Sequence, residues 1–263
     1  MSIENLSIYY GEKCVVQHVD LSLKKGEILT VVGESGSGKS TLLSAISGLL
    51  NSTATIETGT IYLEETPLHE NKTMYRVNRK DMTMIFQNPG AFFNPMKKIG
   101  KQYEQYLCLH GVIDKQEQKH IQKMMLEKVH LCDVDRVLNA YPFELSGGMQ
   151  QRVSIAMATT FKPKLLLADE PTSALDVTTQ ADIVKHFIQL SKEETAILMV
   201  THNMSVASYL SDKIAVMKDG RIIEYGNRDD IIYRPKEAYT KALIEATPSL
   251  SEVENGQRYD FTC

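Results

Sequence analysis

The 263-residue sequence has no apolar run approaching the roughly 18 residues needed to span a bilayer. Its first residues, Met1-Ser2-Ile3-Glu4-Asn5, carry neither a basic region nor an apolar core, so no secretory signal is expected. The four cysteines, Cys14, Cys108, Cys132 and Cys263, are scattered and lack metal-ligand spacing. Free thiols in a reducing, cytosolic setting follow, with a metal site as the alternative. There is no excess of positive charge: the net charge is −4, which removes the basic face expected of a nucleic-acid protein. The small basic cluster Lys72, Arg76, Arg79 and Lys80 reads as solvated surface. What remains, 43% hydrophobic and 24% charged, is ordinary globular composition, long enough for one large domain or one domain with an inserted subdomain.

Against that background one stretch stands out. Gly33 to Thr41 reads Gly-Glu-Ser-Gly-Ser-Gly-Lys-Ser-Thr and fits G-x-x-x-x-G-K-[ST] at Gly33, Gly38, Lys39 and Ser40. A β-rich apolar run, residues 28–32, precedes it. Leu42, Leu43, Ile46 and Leu49 follow at helical spacing up to Leu50. Between strand and helix, Gly33, Gly36 and Gly38 let the backbone turn its N–H groups inward, and the helix start adds its positive end. Lys39 is then expected to reach the β- and γ-phosphates of a nucleotide, and the Ser40 hydroxyl to ligate Mg²⁺.

Residues 2–10 and 19–23 read as strands, with Gly11-Glu12-Lys13 as a turn. Tyr9 and Tyr10 stand before the turn, where an aromatic could stack on adenine; spacing alone makes them half-buried strand tyrosines. Lys24 to Glu27 is a polar turn. Asn51 to Gly59 is polar, and residues 60–63 and 82–86 read as strands, the latter broken at Pro89-Gly90 just past Gln87. From Asn94 to about Ala140 the period becomes helical. Ile99, Tyr103, Tyr106 and Leu107 share one face, and Ile121, Met124, Met125 and Val129 another, with a polar loop expected over residues 111–120. Ser146-Gly147-Gly148 at the start of a further helix resembles an N-cap with free amides. Leu165 to Glu170 is a buried-strand pattern that delivers two acids, Asp169 and Glu170, to its C-terminal end. Residues 196–200 repeat that pattern and end at Thr201-His202. Asp219-Gly220 joins a hairpin near 213–218 and 221–225, and the tail from Pro248 is polar. The pattern predicts an α/β domain with a helical insertion.

Taken together these motifs resemble the ATP-binding subunits of ABC transporters over almost the whole chain. The phosphate loop is followed by a Q-loop at Gln87, a signature Leu145-Ser146-Gly147-Gly148, a Walker B strand with Glu170, a D-loop Ser173-Ala174-Leu175-Asp176 and a switch His202, in that family's order. A finer resemblance is to importer ATPases for dipeptides, oligopeptides and nickel. It rests on residues 84–89, Asn94-Pro95, Ile99-Gly100-x-Gln102, Tyr141-Pro142-x-Glu144, residues 174–178, and Pro235 to Thr240 followed by Ala246-Thr247-Pro248. Many peptide importers of the group carry a cysteine-clustered C-terminal extension; stopping at Cys263 leans towards the nickel or metal-chelate members. Met149 replaces the usual glutamine of the signature, and Asn203 stands where many members have Asp.

The resemblance implies a P-loop NTPase fold with a mainly parallel core sheet, an antiparallel β subdomain and an inserted helical subdomain at about 91–160. The ATP-binding domain would cover 1–247 and the tail 248–263. ATP and Mg²⁺ are the implied ligands. Catalysis would fall to Glu170, His202, Lys39 and Gln87, and metal binding to Ser40, Gln87 and Asp169. Nucleotide binding would fall to Tyr10 (Tyr9 as fallback), Gly33, Ser35, Gly36, Ser37, Gly38, Lys39, Ser40 and Thr41, with Ser146, Gly147 and Gly148 acting across a head-to-tail dimer. The implied partners are two transmembrane permeases, a paralogous ATPase or a second copy, and indirectly a solute-binding protein, at the cytoplasmic face of the membrane. The alternative is a soluble ABC-type ATPase of an assembly such as iron–sulfur biogenesis.

Overall fold

The computed structural model describes residues 1–68 and 81–247. The basic cluster at 72–80, the tail from Pro248 and Cys263 lie outside them. The chain opens with two antiparallel strands, β1 (Ser2–Tyr10) and β2 (Lys13–Ser22). Tyr10 pairs with Lys13, so the turn is only Gly11-Glu12 and β2 starts six residues earlier than the sequence pattern predicts. In the early half of β2, Cys14 pairs with Tyr9 and Val16 with Ile8, so it is the pairing with β1 that makes this stretch a strand. Next come β3 (Ile28–Val32) and α1 (Lys39–Ser47), which ends at Gly48 in the left-handed conformation (φ 70°), short of Leu50. β4 (Ala54–Leu63) takes in most of the polar stretch 51–59 as well as the strand expected at 60–63, and β5 (Thr66–Pro67) follows. These make a four-stranded sheet in the order β2-β1-β4-β5. Its pairings are all antiparallel, as the resemblance implies.

β6 (Met82–Ile85) returns to the core. Then α2 (Ile99–Leu109), α3 (Lys115–Lys128), α4 (Val134–Asn139) and α5 (Gly147–Thr159) form the helical insertion. The loop expected over 111–120 is shorter. Asp114 accepts from the N–H groups of Gln116 and Glu117 and starts α3 at Lys115, a polar helix whose first turns carry few apolar residues for a pattern to detect. Met124 is exposed on α3, whereas Gln118 and Gln122 are buried, donating to Val112 O at 2.7 Å and Gly100 O at 3.1 Å.

The rest alternates: β7 (Leu165–Asp169), α6 (Val177–Lys192), β8 (Ala196–Thr201), α7 (Met204–Leu210), β9 (Lys213–Lys218), β10 (Arg221–Asn227), α8 (Arg228–Tyr233) and α9 (Ala238–Glu245). The core sheet runs β10-β9-β3-β8-β7-β6 and is parallel except for the β9–β10 hairpin. Successive residues of β7 face opposite ways. Leu165 and Leu167 pack with α1 and the outer sheet, and Leu166 and Ala168 pack with the helices of the other face. Every residue of β3, β7 and β8 is buried, as two covered faces require.

His186 on α6 meets α5, its Nε2 lying 3.3 Å from Thr159 Oγ1. Burial first, then the nearby Lys128 ammonium, pushes its pKa down to about 4. Its folded value lies below the unfolded one of about 6.5, so the neutral ring's contribution is complete above that value and is lost as the pH falls towards 4. Between pH 7 and pH 5 the protein should lose about 2 kcal/mol more stability than a His186→Gln variant. Denaturant unfolding at the two pH values measures this; equal losses would contradict the packing described.

Candidate nucleotide site

Four neighbouring parallel strands, β3, β8, β7 and β6, end on the same edge of the core sheet, the usual ligand edge of open α/β sheets. Each hands over different chemistry. β3 leads into the phosphate loop, whose last glycine, Gly38, has φ 107° and opens α1. A Cβ on Gly38 would stand 2.7 Å from Val15 O and 2.8 Å from Met217 Cε, because β2 and β9 press on the loop from outside. The β9–β10 turn also holds the loop, Gly220 N donating to Ser37 O at 3.0 Å.

Lys39 points back into the loop and is only 7% exposed. Its Nζ donates to Gly33 O at 2.7 Å, Glu34 O at 2.8 Å and Ser37 Oγ at 3.3 Å. Burial pushes the ammonium's pKa down, against the pull of Glu170, Asp169 and Glu34. One residue on, Ser40 Oγ donates to Asp169 Oδ1 at 3.2 Å, joining α1 to the end of β7. Burial raises the Asp169 pKa; the Ser40 hydrogen bond opposes this, Glu170 adds to it and Lys39 opposes it.

Glu170 sits just past β7 at φ 45°, a conformation that costs a non-glycine residue about 1 kcal/mol or more. Its carboxylate is gripped from β8. Thr201 Oγ1 donates to Oε2 at 3.0 Å, His202 N donates to Oε1 at 2.8 Å, and His202 Nδ1 lies 2.7 Å from Oε1. Asn203 caps α7, accepting from Val206 N at 3.2 Å, so it does here what an aspartate would do.

These groups share a cavity of about 640 Å³ lined by Val15, Glu34, Ser35, Gly36, Gly38, Lys39, Ser40, Thr41, Gln87, Asp169, Glu170 and His202. Gln87, just beyond β6, is exposed to it. Gly33 and Ser37 sit behind the lining, against Lys39. Tyr10 is at the tip of the β1–β2 hairpin and does not line the cavity, nor does Tyr9. Val15 lines it instead, and the sequence pattern missed it because it shows no strand between residues 10 and 19. Thr201 was missed too, its role resting on a contact across two strands. Ser146, Gly147 and Gly148 are elsewhere, at the start of α5, with Ser146 and Gly147 exposed and Gly148 within 3.2 Å of Ala174 O if given a Cβ.

No cluster of three His, Cys, Asp or Glu among the described residues could hold a metal alone. The paired hard oxygens of Ser40 and Asp169 suit a Mg²⁺ that takes its remaining ligands from water and substrate phosphates. Fold and site together define a phosphate-loop ATPase. The family model described as ABC transporter matches residues 16–173. The oligopeptide transport ATP-binding protein OppD of Lactococcus lactis subsp. cremoris is 40% identical over 243 residues, 91% of this chain and 72% of its own length. OppD of Bacillus subtilis is 41% identical over 259 residues, 95% of this chain and 72% of its own. Among solved structures, a dimeric post-hydrolysis state of the ATP-binding cassette MJ0796 bound to ADP and Pi superposes with a TM-score of 0.76 at 29% identity, covering 86% of this chain and 98% of that one. The chain belongs to the ABC transporter family, whose activity is ATP hydrolysis coupled to transport.

Gly38→Ala is expected to destabilise the nucleotide-free protein by more than about 1 kcal/mol, combining backbone strain with the clash on Val15 O. Gly36→Ala, at φ 83° with nothing within 4 Å of the added Cβ, should cost less. Thermal unfolding of both variants ranks them; the reverse order would contradict the packing of β2 on the loop.

Proposed function

We propose that this chain is the ATP-hydrolysing subunit of a membrane importer for peptides, working at the cytoplasmic face. The observation that carries the reading is the convergence of Lys39, Ser40, Gln87, Asp169, Glu170 and His202 on one cavity, with Ser146 and Gly147 of the signature exposed outside it. Lys39 would meet the β- and γ-phosphates, and the amides of Gly33, Ser35, Gly36, Ser37, Gly38 and Thr41 would cradle them. Ser40, Gln87 and Asp169 would hold Mg²⁺, which supplies charge neutralisation at the phosphates. Tyr10 would stack on adenine, with Tyr9 as fallback.

Glu170 would polarise the attacking water. Its carboxylate accepts from three donors of Thr201 and His202. Transfer of the His202 side chain to the γ-phosphate would remove one donor from Oε1, leaving that oxygen with only the His202 N–H and a lone pair for water. Ser146, Gly147 and Gly148 would complete the site of a second chain, so ATP favours the closed pair by its differential affinity.

The ATP-binding domain would then be 1–247 with its helical subdomain at about 91–160, followed by the tail 248–263. Two permeases, a paralogous ATPase or second copy, and an extracytoplasmic binding protein complete the importer. No described helix is long and apolar enough to cross a membrane, which suits a peripheral subunit. Peptide cargo is favoured by the relatives, which are oligopeptide and dipeptide transport ATP-binding proteins. The leaning towards nickel finds no support in them, and nothing among them favours the soluble assembly ATPase.

The direct test is a pull-down of tagged protein from gently solubilised membranes. Two permeases and a second ATPase are expected; cytosolic partners without a permease would overturn the importer reading. Lys39→Ala should lower ATPase turnover about a hundredfold or more. Glu170→Gln should bind ATP, lose turnover and accumulate as a dimer on size-exclusion chromatography. Wild-type turnover in either variant would remove the role assigned to that residue.

A further inference from the structure

The C-terminal helix of the described chain touches the phosphate loop. Tyr239 on α9 accepts a hydrogen bond at its hydroxyl from Glu34 N, at 3.0 Å. The carbonyl of the same residue accepts from Lys39 Nζ at 2.8 Å, so Glu34 is held from both sides, by α9 and by the buried ammonium. Between them lies the end of β9. Gly33 packs so closely on it that a Cβ would overlap the Met217 carbonyl oxygen, and Lys218 Nζ stands 4.7 Å from the Tyr239 ring centroid.

α9 is itself firmly seated. Glu224 of β10 accepts from Lys236 N at 2.8 Å and Glu237 N at 3.2 Å, capping its start. Leu243 and Ile244 pack with Tyr239 on a cluster that includes Val32, the last residue of the strand feeding the loop. Nothing in the hydrolytic chemistry calls for a tyrosine hydroxyl at this place, and Glu34 is exposed, so water could satisfy its amide. What the hydroxyl adds is position.

We propose that Tyr239 is a positioning residue for the phosphate loop, and that through it the seating of α9 sets the chain's affinity for nucleotide. The proposal rests on the reading of the cavity as an ATP site. A helix so placed makes nucleotide affinity sensitive to whatever holds or displaces the end of the domain, since a loop already in its binding conformation gives up less freedom when the phosphates arrive.

Tyr239→Phe in the full chain removes only the hydroxyl and keeps the packing and the Lys218 contact. Three quantities are read: the exchange rate of the Glu34 amide without nucleotide, the Kd for ATP by calorimetry, and kcat. Exchange should become about tenfold faster and Kd should rise about threefold to tenfold, the scale of one hydrogen bond, with kcat within about twofold. Tyr233→Phe, on an exposed ring of α8, should change none of them.

Glu224→Ala loosens α9 without touching Tyr239, and should reproduce the faster exchange and the weaker binding. Unchanged Glu34 exchange and Kd in Tyr239→Phe would overturn the proposal, as would a fall in kcat at constant Kd. A wild-type chain that binds no ATP would count against the reading of the cavity instead. The exchange measurement, made without nucleotide, would still decide the link between Tyr239 and the loop.

Discussion

The buried ammonium of Lys39 is the constraint on which the site depends. It sits among loop carbonyls with two carboxylates close by, and its burial disfavours the charge it must carry. A cation in such a place is tolerable only when fixed dipoles and anions surround it. The loop supplies the dipoles, and Asp169 and Glu170 supply the anions. Burial, and the Glu170 carboxylate beside it, also disfavour the charge on Asp169, whose pKa is raised. A polyphosphate with its magnesium would relieve both sides, bringing negative charge to Lys39 and positive charge to Asp169. The arrangement is poised for a charged ligand.

Holding these charges together requires a rigid support, and the parallel sheet provides it. β3, β7 and β8 are buried on both faces, and their common edge brings Ser40 to within hydrogen-bond distance of Asp169, 129 positions away, and His202 to within that distance of Glu170, 32 positions away. The outer sheet, β9 and α9 then press on the phosphate loop from behind, through Val15, Met217 and Tyr239.

Much of this was legible in the sequence because it is local. The phosphate loop, the acids at the end of β7, the Asp219-Gly220 hairpin and the apolar core strands each announce themselves within a dozen residues. What was not legible came from elsewhere in the chain. The first half of β2 is a strand because it pairs with β1 and lies against Gly38, not because its polar-edged sequence demands it. The start of α3 depends on the Asp114 cap, and Gln118 and Gln122 are buried because carbonyls of α2 and its following loop await them. The grip of Thr201 on Glu170 and of Tyr239 on Glu34 are contacts between distant segments, for which sequence pattern carries no signal. The signature residues are the reverse case. They were legible by resemblance, yet within one chain they stand apart from the cavity.

The most direct test of the account is calorimetric titration of the nucleotide-free protein with ATP in the presence of Mg²⁺, alongside the same titration with magnesium chelated. A site built from Lys39, Ser40 and Asp169 predicts one ATP per chain, with affinity that falls when the metal is withdrawn. Absence of binding at millimolar ATP, or binding indifferent to both the metal and the Lys39→Ala substitution, would contradict it.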